Sequence, residues 1–236
     1  MTNLWVFGDS FADTNATSSD SANWIGQLAL SLKCSIKNLS QTGSDIQYSI
    51  HQYLQVRNEI KPGDTIVFVT TEINRFWFHK DKPTVTRPYN TQEDPTQWKK
   101  KLPIDFYDII YTTQRIDLKL DILQLLYHDL HFLAAQHSVN AVILNAFDLP
   151  PHPQPTPPIL TGNKALFTIS NEEIAGEIMV TRDFRPLHLT EKNHNILANK
   201  LTAAVYKKEN PDLTTDFQKD IYQPEDFKQR CENERL

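Results

Sequence analysis

Cysteine is scarce: Cys34 and Cys231 are the only two in 236 residues. One of them lies in the polar tail, so no disulfide framework is expected, and the pair lacks the spacing of a zinc site. Basic charge is also in deficit, since 24 Lys and Arg stand against 29 Asp and Glu for a formal net charge of −5. Nucleic-acid-binding domains usually carry a basic stripe, and none is visible. The only tight basic run, Lys99 to Lys101, has the character of a solvated loop or helix end. No apolar stretch approaches the roughly 20 residues of a membrane-spanning helix. The opening Met1-Thr2-Asn3-Leu4-Trp5 lacks the basic segment and apolar core of a secretion signal, which predicts a cytoplasmic protein. There is no internal repeat, and nothing calls for a metal or organic cofactor. What remains is 39% hydrophobic and 22% charged, the make-up of a chain that can bury one full α/β core.

Short apolar runs alternate with helical spacing along the chain. Leu4 to Phe7, ended by Gly8-Asp9-Ser10, reads as a buried first strand. Trp24, Ile25, Leu28 and Leu32 predict a helix over roughly 22–33, and Ser35 to Leu39 a second strand. Ile46, Ile50, Tyr53, Leu54 and Ile60 mark a helix of about 15 residues, which Lys61-Pro62-Gly63-Asp64 ends. Thr65 to Thr70, β-branched and apolar, is the predicted central strand. Residues 79–104 show no periodicity and read as a surface excursion or lid. Helical spacing returns from Phe106 to about Gln136, carried by Ile116, Leu120, Leu123, Leu126, Leu130 and Leu133, and Ala141 to Asn145 is a fourth strand. Prolines dominate Leu149 to Pro158, so 149–164 is expected to be an extended surface loop. Leu189 to about Tyr206 reads as the last core helix. These elements predict a domain over 1–208, followed by a charged extension over 209–236. Strands alternating with helices argue for a parallel sheet covered on both faces, with any site beyond the carboxyl ends of its strands. Ser10, Gly43 and Asn74 all fall on that edge.

Gly8-Asp9-Ser10 directly after an apolar strand is the strongest chemical signal. A serine hydroxyl is a poor nucleophile until a nearby base takes its proton, and a tight turn at a strand end exposes it to one. Ser10 capping the next helix is the plainer alternative. The second signal is Asp183-Phe184-Arg185-Pro186-Leu187-His188-Leu189-Thr190. His188, on a loop just before the last helix, can take the serine proton and return it to a leaving group. Asp183 can hold the imidazole tautomer, Thr190 suits a helix cap, and His194 suits packing.

Leu4-Trp5-Val6-Phe7-Gly8-Asp9-Ser10-Phe11-Ala12-Asp13 resembles the first block of the SGNH (GDSL) hydrolases. Asn38 to Ser44 is similar to their second block, with Gly43 at the glycine position. Val69-Thr70-Thr71-Glu72-Ile73-Asn74 occupies the place of the third, and His188 to His194 resembles the last. The resemblance implies a three-layer α/β/α sandwich with a mostly parallel five-stranded sheet, and an acyl-enzyme mechanism. It makes Ser10 the nucleophile and His188 the base; Asp183, five residues before the histidine, is the candidate orienter, and a Ser–His dyad with a backbone carbonyl or water holding the imidazole is the alternative. The backbone N–H groups of Ser10 and Gly43 and the amide of Asn74 form the implied oxyanion hole. Two departures stand out. The family's Gly-x-Asn-Asp is here Glu72-Ile73-Asn74-Arg75, and Arg185 occupies the position three before the histidine where the family has Asp. Arg75 either acts at the substrate, assisting an oxyanion or gripping an anionic group beside Asp9, or pairs with Glu72 or Asp183. Asp13 is expected to cap the helix after the turn, and Phe76, Trp77 and Phe78 are candidates for an acyl pocket. His152, on the proline-rich loop, is a candidate for shaping the substrate.

The expected activity is cleavage of a carboxylic ester, either an acetyl ester of a carbohydrate or another small acyl ester. Two other readings share these residues: a catalytically weak binding or structural module that keeps the fold, and an acyltransferase that excludes water. The expected partner is a small-molecule or carbohydrate ester, with no nucleic acid. Delivery on a phage particle would be one route by which such a chain meets surface polysaccharide.

Overall fold

The computed structural model describes residues 2–13, 23–73, 75, 116–172, 189 and 191–217. Five strands form one all-parallel sheet: β1 (Asn3–Phe7), β2 (Ser35–Asn38), β3 (Thr65–Thr70), β4 (Asn140–Asn145) and β5 (Leu160–Thr161). Their order across the sheet is β2-β1-β3-β4-β5. The helices among the described residues are α1 (Trp24–Leu32), α2 (Ile46–Val56), α3 (Ile116–His137), α4 (Leu166–Glu172) and α5 (Glu191–Lys207). A 3₁₀ turn, Arg57–Glu59, extends α2.

The period-two rule of a strand separates the core into two layers. Leu4 and Val6 of β1, Val67 and Val69 of β3, and Val142 and Leu144 of β4 face one side, where α1 and α5 cover them with Trp24, Leu28, Leu197 and Leu201. Trp5, Phe7, Ile66, Phe68, Ala141 and Ile143 face the other, under Ile50 and Tyr53 of α2 and Leu123, Leu126 and Leu130 of α3. All six residues of β3 are buried, as expected for a central strand of a parallel sheet covered on both faces. The fold is therefore a three-layer α/β/α sandwich.

Side-chain caps fix where helices begin. Asn23 accepts the Gly26 N–H at 2.9 Å to open α1, and Asp45 accepts the Tyr48 N–H at 2.8 Å to open α2. Asp13 accepts the N–H of Thr42 at 2.7 Å and ties the β1 exit to the β2 exit; residues 14–22, where a helix capped by Asp13 would begin, lie outside the described residues. The 149–164 stretch is not loop throughout, because Leu160 and Thr161 pair with Val142 and Ile143 as β5. Beyond α5, Leu213 is fully buried in the α1/α5 layer, so the segment after 208 contributes to the core. The 79–104 excursion, Phe76 to Phe78 and residues 218–236 lie outside the described residues.

Candidate active site at the strand switch point

In the order β2-β1-β3-β4-β5, the chain leaves β1 to one side for β2 and then returns to the other side for β3. Crevices in open α/β sheets form at such a reversal, beyond the carboxyl ends of the strands, here between β1 and β3. Ser10 follows β1 directly and is 7% exposed. Gly8, just before it, runs at φ +151° with its backbone against β3. A Cβ at Gly8 would come within 2.7 Å of Val69 Cβ and 2.9 Å of Val69 O, so glycine lets the turn lie tight on the neighbouring strand.

The β2 exit is clamped onto that turn. Gly8 O accepts from Gln41 N–H at 3.0 Å and from Ser44 Oγ at 2.8 Å. Asn38 Nδ2 donates to Ala12 O at 2.8 Å. Gly43 is buried between these contacts at φ +78°, a left-handed conformation that glycine adopts without strain. Its N–H is not among the backbone donors that the described residues engage.

Beneath Ser10 lies a buried ionic pair. Asp9 is fully buried and Arg75 is 4% exposed, with Arg75 Nη1 at 2.6 Å from Asp9 Oδ2. The same Nη1 donates to Ser44 O at 3.3 Å, and Nε lies 3.5 Å from Glu72 Oε2. The guanidinium sits 5.2 Å from the ring centroid of Phe147 in the β4 exit, a cation–π distance. Asp9 also accepts the Phe11 N–H at 3.1 Å. Of the two roles open to Arg75 in the sequence, grip on a substrate or an internal pair, this geometry favours the pair, with Asp9 and Glu72 as partners. The carboxylate of Asp9 and the guanidinium of Arg75 thus join the exits of β1 and β3.

A second buried pair lies behind the first. Lys119 of α3 is 4% exposed, and its Nζ is 3.2 Å from Asp45 Oδ2. Nζ also donates to Ile73 O at 3.1 Å and to Arg75 O. Burial pushes the Asp45 carboxyl above its ordinary value against the pull of Lys119. Burial likewise pushes the Lys119 ammonium down, opposed by Asp45. Sequence periodicity passes over Lys119, yet a signal exists. It falls between Ile116 and Leu123 at the spacing of the buried stripe of α3, where a cation needs partners.

Asn74, Asp183 and His188 lie outside the described residues. Their neighbours are described. Leu189, 1% exposed, belongs to the same buried cluster as Phe11 and Ala12. His194, also buried, accepts the Trp24 N–H on Nδ1 at 3.4 Å, and Trp24 Nε1–H donates to Phe11 O at 2.8 Å. The beginning of α5 is therefore docked, through Trp24, onto the turn that carries Ser10. His194 is thus buried and hydrogen-bonded to the first residue of α1.

His152 accepts or donates at 3.4 Å to Tyr127 OH through Nε2 and holds Pro150 O through Nδ1 at 2.8 Å, which fixes the proline-rich loop to α3.

No protein-family model and no curated protein matches the chain. Among solved structures, it is similar to a protein from Desulfitobacterium hafniense DCB-2 assigned to the lipolytic G-D-S-L family, at 11% identity and a TM-score of 0.41. That alignment covers 86% of this chain and 99% of the other. It is also similar to an inhibitor-bound aryl esterase of M. smegmatis, at 13% identity and a TM-score of 0.43, over 88% of this chain and 99% of the other.

Proposed function

We propose that the chain is a serine hydrolase that cleaves a carboxylic ester through an acyl-enzyme intermediate. One observation carries the reading. A serine in a tight turn stands at the β1/β3 switch point, and the segment next to His188 is docked onto the same turn by way of Leu189, His194 and Trp24. His188 precedes the buried Leu189 by one residue in sequence, and an imidazole brought to that turn is suited to act as base.

In this reading Ser10 Oγ attacks the ester carbonyl as His188 takes its proton. The carbonyl π bond opens to an oxyanion, which the N–H groups of Ser10 and Gly43 and the Asn74 amide receive. Collapse of the oxyanion expels the alcohol, protonated by His188, and leaves the acyl group on Ser10. Water then attacks the acyl carbonyl, giving its proton to His188, and the acid leaves as Ser10 recovers its hydrogen. Asp183 orients the imidazole. Each oxyanion donor is worth roughly 3 kcal/mol in such sites. Asp9 and Arg75, buried against each other, hold the crevice walls and leave the reacting atoms to these groups.

The test is covalent labelling with a fluorophosphonate, followed by mass spectrometry of the adduct, alongside hydrolysis of p-nitrophenyl acetate. The label is expected on Ser10, and Ser10→Ala is expected to lower turnover at least about a thousandfold while the protein still folds. Equal rates for the wild type and Ser10→Ala would overturn the reading in favour of a binding module.

A further inference from the structure

Lys119 is a charged side chain in the buried stripe of α3, only 4% exposed. Among the described residues, three contacts of its ammonium join two loops. One is the carboxylate of Asp45, two residues after Gly43 and the cap of α2. The other two are the carbonyls of Ile73 and Arg75, in the loop leaving β3. In sequence those carbonyls stand on either side of position 74. From the front, the Arg75 side chain holds the same loop to Asp9 beside Ser10 and to Ser44 O beside Gly43. The β3 exit is therefore fastened on both sides.

We propose that Lys119 is a positioning residue that locks the β2 and β3 exit loops together, and through them sets the oxyanion donors. The proposal rests on the ester-hydrolase reading of the site. An oxyanion hole works because its donors are fixed before the reaction begins, so loosening their support lowers turnover more than substrate binding. A purely structural ion pair behaves differently: removing both charges together is often neutral or stabilising, whereas removing one leaves the other buried and unpaired.

Two variants separate these roles. Lys119→Met leaves Asp45 unpaired and can fail to fold for that reason alone. Asp45→Asn combined with Lys119→Met removes both charges and keeps a capping side chain at 45. With p-nitrophenyl acetate, the double variant is expected to keep its thermal transition and lose about tenfold or more in kcat with KM changed less than twofold. Adding Asn74→Ala to it should lower kcat much less than Asn74→Ala does in the wild type. Hydrogen exchange should speed up at the amides of residues 71–76 and not across the sheet. Wild-type kcat in the double variant, full additivity with Asn74→Ala, or unchanged exchange at 71–76 would each overturn the proposal. The esterase reading fails separately, if Ser10→Ala retains the wild-type rate. The exchange measurement decides the locking in either case.

Discussion

Asp9 and Arg75 form a buried pair whose partners are 66 residues apart in the chain. With both side chains almost completely buried, deleting one partner leaves an uncompensated charge, which typically costs about 3–5 kcal/mol. Arg75→Met is therefore expected to lower the urea unfolding free energy by that amount, and Asp9→Asn in the same chain to restore much of it. Recovery by the second substitution distinguishes an internal pair from an arginine held for a substrate. The sequence makes Arg75 visible, because it stands where the resembled pattern has an aspartate. It offers Glu72 as a partner, but not the pair with Asp9. A pair between two strand exits depends on strand order, and periodicity carries no information on that. The same limit hid Lys119: counting apolar positions on α3 passes over the one polar member of the stripe. The placement of Ser10 and Gly43 at strand exits was legible because each follows a strand with a well-marked end. The proposed roles of Asn74, Asp183 and His188 still rest on the resemblance and on their neighbours.

Strands and helices were read more securely where they are long and buried. The apolar runs of β1, β3 and β4 mark their positions to within a residue, since a strand covered on both faces must be apolar throughout. Strand β5 has only two residues and follows prolines, so it gives no pattern to read. The cap of α1 is Asn23, while Asp13 accepts the Thr42 N–H, a contact between two strand exits that local sequence does not display. The turn before β3 supplies a test at this scale. Asp64 accepts from Trp5 Nε1 at 2.8 Å, from Asn3 N–H at 2.8 Å and from Lys61 N–H at 3.1 Å, joining β1 to the turn. Burial raises its carboxyl, but these hydrogen bonds outweigh burial and hold it below its ordinary value. A carboxyl lowered on folding adds stability above its unfolded value, near 3.9, and that stability is lost as pH falls through the folded value. Asp64→Asn is expected to cost about 1–3 kcal/mol in urea at pH 7. The difference from wild type should shrink as the pH is taken down from about 4. At the other end of β1, Gly8→Ala is expected to cost about 1–3 kcal/mol from its clash with Val69 alone, measurable as a lower unfolding midpoint.

Across the whole molecule, the two layers of the core are closed by residues far apart in sequence. Leu213, after α5, reaches the gap beside β5, where its side chain lies against Gly162. Ending the chain at 208 would remove it, and Leu213→Ala is expected to cost about 2–5 kcal/mol, read from chemical denaturation. The sequence points to a boundary at that place because charge rises there; a single buried leucine in a polar stretch is too small a signal to move it. The outermost strands also have a consequence for life at high concentration. On one flank Ile36 and Lys37 are exposed in a strand of four residues, and on the other the strand is two residues long. Growth of a sheet from molecule to molecule needs a long, flat, apolar border, and short borders that carry a lysine discourage it. Crowded solutions of the folded protein should therefore stay free of ordered fibrils, even where partial unfolding drives shapeless clumping.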